Sequence, residues 1–149
     1  MSKLANYKIL HGLRMILECC KGNATIEDAI EMKKCEIKDR YYDPGYNILV
    51  DFREFTSSID SSSLLSLSVF VDFLKGLRLA CKVALLTTKP HQVVVMNMVK
   101  KLSIDSKMEF EIFSTLEASV SFVDCPEENL EIIDGYLQEL SLGTCDPEC

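Results

Sequence analysis

Hydrophobic and polar positions along this chain follow two rhythms that alternate from one end to the other. Tyr7–Leu10 and Arg14–Cys20 are extended apolar runs, parted by His11 and Gly12, and predict two short strands joined by a turn. Lys21, Gly22 and Asn23 break the second run. Thr25 then stands as N-cap before Glu27 and Asp28, predicting a helix over about 26–34 that buries Ile26, Ala29, Ile30 and the stem of Lys33. In Asp43-Pro44-Gly45-Tyr46 proline presets φ and glycine can supply φ > 0, so a turn is expected, followed by a central strand over 46–51.

The longest helix is predicted over 62–78, because Leu67, Phe70, Val71, Leu74 and Leu77 keep helical spacing. Lys82–Thr87 is a nearly continuous apolar run, as a strand covered on both faces requires. Pro90 suits a first helical turn, and Val95, Met98, Val99 and Leu102 carry that helix onward, although Val93-Val94-Val95 also has strand character. A strand over 108–113 follows, then a helix started by a Ser114–Glu117 capping box that uses Leu116, Val120 and Val123. The last helix opens at Pro126 with Glu127 and Glu128 in its first turn. It carries Leu130, Ile133, Leu137 and Leu140 as its apolar stripe and stops at Gly143.

A length of 149 residues, 48% of them hydrophobic, suits one domain with a core that needs neither metal nor disulfide. The whole chain, 1–149, reads as that domain, with its core over about 7–140 and a frayed tail over 144–149. No apolar run is long enough for a membrane span, and the first residues lack a signal-peptide pattern, so a cytoplasmic location is expected. The seven cysteines (Cys19, Cys20, Cys35, Cys81, Cys125, Cys145 and Cys149) are odd in number and irregularly spaced, which predicts reduced thiols.

Charge is distributed unevenly. Residues 1–107 hold 16 basic and 12 acidic side chains, a net of +4, whereas residues 108–149 hold 11 acids and no Lys or Arg. That acidic third opposes nucleic-acid binding, which depends on neutralising phosphates. The basic cluster of Lys33, Lys34, Lys38 and Arg40 is interrupted by Glu36 and Asp39 and reads as a solvated surface.

Several chemistries find no support in the pattern. His11 and His91 have no nucleophile and carboxylate beside them in sequence, so no catalytic set is assigned. No Cys-x-x-Cys or His-Glu-x-x-His motif offers a metal site, and Cys19 and Cys20, adjacent on a strand, point to opposite faces. The six glycines are dispersed and form no phosphate cradle, so no cofactor is expected. Asp51 ends the central strand, where ligands of α/β folds gather. Capping or turn stabilisation is the plainer role for it.

The order β-β-α-β-α-β-α-β-α-α resembles the STAS domain of bacterial anti-sigma-factor antagonists, and in particular the SpoIIAA-like small proteins. The likeness rests on the hairpin leading into Gly22–Asp28, on Tyr46–Arg53 as a central strand ending in an aspartate, and on Phe113–Ala118 joining the last strand to its helix. It implies an α/β fold with a mixed sheet of four or five strands and helices mainly on one face. It also implies a non-catalytic protein-interaction or regulatory module, with a protein partner and a homodimer as the forms of association. Asp60-Ser61-Ser62-Ser63 resembles the family's Asp-Ser-Ser-Gly, which places Ser61 as phosphoacceptor and Asp51, Arg53, Asp60 and Ser62 on the interaction loop. Ser63 departs from that pattern where the family has glycine, and a simple helix cap is the alternative role for these residues. The other functional expectation is a small-molecule or lipid carrier, which would need an apolar cavity of about 300 Å³ or more.

Overall fold

A computed structural model of the chain describes residues 3–57 and 61–143, the side chains of residues 61–63 excepted. Its elements are β1 (Ala5–Leu10), β2 (Met15–Cys20), α1 (Ile26–Lys38), β3 (Asn47–Asp51), α2 (Ser61–Gly76), β4 (Lys82–Leu86), α3 (Pro90–Leu102), β5 (Glu109–Phe113), α4 (Leu116–Phe122) and α5 (Leu130–Leu142). The fold is α/β with a five-stranded mixed sheet in the order β1-β2-β3-β4-β5. β1 runs antiparallel to β2, while β2, β3, β4 and β5 are parallel neighbours.

Connectivity decides where the helices lie. Each parallel strand is followed by its spatial neighbour through one helical crossover, and crossovers of one hand that step in one direction fall on one face. So α1, α2 and α3 share a face. There Ile16, Ile48, Val50, Val83, Leu85 and Phe110 pack with Leu67, Val71 and Leu74 of α2 and Val95, Met96 and Val99 of α3. After β5 no crossover remains, and α4 and α5 return beneath the opposite face. Val120, Val123, Ile133, Leu137 and Leu140 meet Leu17, Leu49 and Ala84 there. The described helices therefore divide three to two between the faces, a fuller cover of the second face than the family likeness implies. No helix among the described residues is long and apolar enough to cross a membrane.

Local signals mostly act as their chemistry requires. Thr25 accepts the Asp28 N–H at 3.1 Å while the Asp28 carboxylate accepts the Thr25 N–H at 2.8 Å, a reciprocal cap. Gly143 ends α5 in the left-handed region at φ 74°. Three details differ from expectation. The 43–46 turn closes through the Tyr46 N–H to Asp43 carbonyl bond at 3.1 Å, but Gly45 is not among the residues with positive φ. Asp43 instead steadies the turn by accepting the Gly45 N–H at 2.8 Å. The cap of α4 is Thr115 rather than Ser114, with the Ala118 N–H as its donor. Glu127–Asn129 form a separate 3₁₀ turn before α5, with Pro126 as its N-cap.

The thiol expectation is also corrected. Cys19, Cys20, Cys81 and Cys125 are free and buried, but Cys35 is disulfide-bonded. Cys145 and Cys149 lie outside the described residues. Cys19 and Cys20 do face opposite ways, one into the core under α5 and the other toward α1. Burial pushes the Cys19 thiol up to about 12 and Cys81 up to about 11, so both pack as neutral apolar groups.

Candidate functional site

The C-terminal end of β3 organises the first candidate region. Asp51 is buried at the strand end, and its carboxylate accepts the Arg53 backbone N–H together with the Arg53 Nε and Nη2 groups, each at 3.0 Å. That fork-to-carboxylate pairing leaves the guanidinium partly exposed and fixes the first bend of the loop. Phe52 extends the strand by donating its N–H to the Leu86 carbonyl at 2.9 Å. The loop is tied to the turn before α1 as well. The Gly22 N–H donates to the Glu54 carbonyl at 2.8 Å, and the Thr56 N–H donates to the Gly22 carbonyl at 2.9 Å.

Gln92 on α3 joins both sides of this region and was not singled out by sequence. Its side chain is fully buried. The amide oxygen accepts the Thr88 and Lys89 N–H groups at 2.8 and 3.1 Å, and the amide nitrogen donates to the Arg53 and Phe55 carbonyls at 3.2 and 3.0 Å. Gln92→Ala would leave the Thr88 and Lys89 N–H groups and the Arg53 and Phe55 carbonyls without that partner. It is expected to lower stability by about 1–3 kcal/mol and to speed hydrogen exchange over 52–57, measured by denaturation and amide exchange. An unchanged exchange profile would show that the loop is held by its other bonds.

Beside the loop an open groove of about 370 Å³ is lined by Asp51, Arg53, Glu54, Asp134, Gln138 and Ser141, with Leu137 and Leu142. The structure thus brings Asp51 and Arg53 into one site. Ser61 is the first residue of α2, and Ser62 follows it; Asp60 lies outside the described residues. Directly after these serines α2 presents Leu64, Leu65 and Val69, which are 46%, 72% and 54% exposed. Leu65 and Val69 are one helical turn apart and share a face.

His11 Nδ1 lies 2.8 Å from the Tyr46 hydroxyl, and His91 Nε2 lies 3.2 Å from the Phe55 carbonyl oxygen.

The second region lies under α1, and here the expectation for the helix face was wrong. Ile26, Ala29 and Ile30 are half-buried, while Met32, Lys33 and Glu36 are buried. Lys33 is covered to its ammonium, not merely along its stem, so it is not part of a solvated basic surface. Its Nζ donates to Glu18 of β2 and, at 2.8 Å, to Glu36. Burial drives the Glu18 carboxyl up, but the Lys33 charge and hydrogen bonds from Glu36 and Lys33 outweigh it and hold the group below the usual glutamate range. Burial and the Glu18 charge push Glu36 the other way, well above that range. A glutamate inside the otherwise apolar run of β2 was the one sequence signal that could have revealed this cluster.

Glu18 and Lys33 also form part of the wall of a cavity of about 110 Å³ between the sheet and α1, α2 and α3, otherwise lined mainly by apolar side chains such as Met32, Val50, Phe52 and Phe70. Comparison of the chain with protein-family models, curated proteins and solved structures finds no match.

Proposed function

We propose that this protein is a non-catalytic interaction module that docks a protein partner on the outer face of α2 and the adjoining loop after β3. The exposure of Leu65 and Val69, one turn apart on α2, carries the reading. Apolar side chains left in water on one helix face, rimmed by polar groups, are characteristic of docking surfaces. The arrangement offers a partner an apolar anchor on the exposed face of α2. The cavity under α1 is smaller than the volume a carrier of drug-sized or lipid ligands uses, which favours docking over carriage.

On this reading Ser61, at the first position of α2, is the control point. A phosphate at a helix start is compatible with the helix, and its charge next to an apolar docking face would weaken a partner's hold. Leu65→Glu with Val69→Glu is expected to leave the melting temperature nearly unchanged while abolishing association, read by light scattering for self-association and by site-specific photo-crosslinking from α2 for another partner. Ser61→Asp should weaken the same association and Ser61→Ala should preserve it. Equal association by all of these forms would remove α2 as the docking surface.

A further inference from the structure

We propose that Glu18 and Glu36 share a single proton beside the Lys33 ammonium, and that this proton is a latch holding α1 down over the cavity. The inference is independent of the docking surface on α2. It begins with a count of buried charge. Glu18, Lys33 and Glu36 are 5%, 2% and 0% exposed, so two carboxyls and one ammonium sit out of water together. Were both carboxyls ionised, the cluster would hold one uncompensated negative charge, which a buried site resists strongly.

The geometry indicates where the balancing proton resides. Glu36 takes the Lys33 donor on Oε2, but its other oxygen, Oε1, is buried with no hydrogen-bond partner. An ionised carboxylate only accepts, so such an oxygen would be stranded. A carboxylic acid there supplies its own donor, and Glu18, held on the same Lys33 ammonium, is the neighbouring carboxyl that can accept it. Glu36 is thus the neutral acid and Glu18 the carboxylate. The two titrate as a pair.

Among the described residues, no ion pair brings a second cation to Glu18 or Glu36. Cys20 faces the cluster from β2, Tyr42 from the segment after α1, and Cys81 from the start of β4. All three are neutral groups whose burial pushes them up, Tyr42 to about 12. Tyr7 approaches from β1, where its hydroxyl donates to Asp39 at 3.0 Å, and Asp28 adds a further negative charge from α1. Lys33 is the cation of the set.

Loss of the proton would place two carboxylates against each other in a dry site, and the direct relief is for α1 to lift and admit water. Because Ile26, Ala29, Met32 and Lys33 of α1 form part of the cavity wall, lifting α1 opens the cavity. The sign follows from linkage. The closed form keeps the proton of Glu36 to higher pH than the open form does, so opening releases one proton and is favoured as pH rises above the ordinary glutamate range, until Glu36 ionises in the closed form.

Hydrogen exchange on the intact protein tests this, with rates corrected for the chemical effect of pH. Protection of the amides over 30–36 should fall about tenfold per pH unit in that window, as release of one proton requires. Amides of α5 should keep theirs. Glu36→Gln preserves the shape and can donate an N–H to Glu18, so its α1 protection should be flat across the same window. A flat wild-type profile, or a variant profile as steep as the wild type, overturns the latch. Carboxyl carbon NMR of the wild-type protein at neutral pH gives a reading that needs no variant. Glu36 should appear as the neutral acid and Glu18 as the carboxylate, and any other pair of states overturns the proposal.

Discussion

Lys33→Met is expected to be among the most damaging single substitutions in this protein, lowering stability by about 3–5 kcal/mol in chemical denaturation. The methionine would fill much of the same volume, so a cavity is not the cause. The loss comes from Glu18, which would be left as a buried carboxylate without its cation and would have to take up a proton to remain folded. The damage should therefore ease as pH falls toward the range where Glu18 protonates. In the wild-type protein the opposite trend holds for that residue. Its folded pKa lies below the usual value, so the stability it contributes is present above that value and lost as pH falls through the folded one. Replacing Glu18, Lys33 and Glu36 together by methionine should recover most of the loss, since apolar triads of similar volume stand in for buried ion clusters at little cost. A triple variant as unstable as Lys33→Met would mean that the site cannot be packed without its charges.

Truncation of each core should also be costly, and the costs should add. Leu74 of α2 and Leu137 of α5 are both buried, on opposite faces of the sheet. Leu74→Ala and Leu137→Ala should each cost about 2–5 kcal/mol through lost burial and the void left behind. The two side chains share no core cluster, so the double variant should lose the sum of the two within about 0.5 kcal/mol. A marked departure from additivity would show that the faces communicate through the strands between them. An unchanged midpoint for Leu74→Ala would place that side chain in solvent.

The elements whose signals are local were legible in the chain. Pro90 at a helix start, the Thr25–Asp28 cap, the Ile133–Leu137–Leu140 stripe and the apolar run of β4 each combine propensity with a period that needs no distant partner. The same reasoning placed the 43–46 turn but misjudged how it closes, since Asp43 offers the backbone a side-chain acceptor that makes a positive φ at Gly45 unnecessary. The extent of α1 was underestimated for a related reason. Lys33 and Glu36 look like the polar end of a helix until Glu18, fifteen residues before Lys33 and on another element, is known to lie opposite them. Gln92 likewise looks like any surface glutamine, and only the approach of the Arg53 and Phe55 carbonyls makes it a buried brace.

By itself, then, the sequence determined the alternation of strands and helices and the placement of Asp51 at a strand end, because these follow from periodicity and capping. Tertiary structure alone decided that α4 and α5 cover the second face, that Asp51 and Arg53 close into a bidentate pair, and that three ionisable side chains meet in the dark beneath α1. Burial of a charge depends on what lies across from it in space, and a linear pattern of polar positions carries no record of that partner.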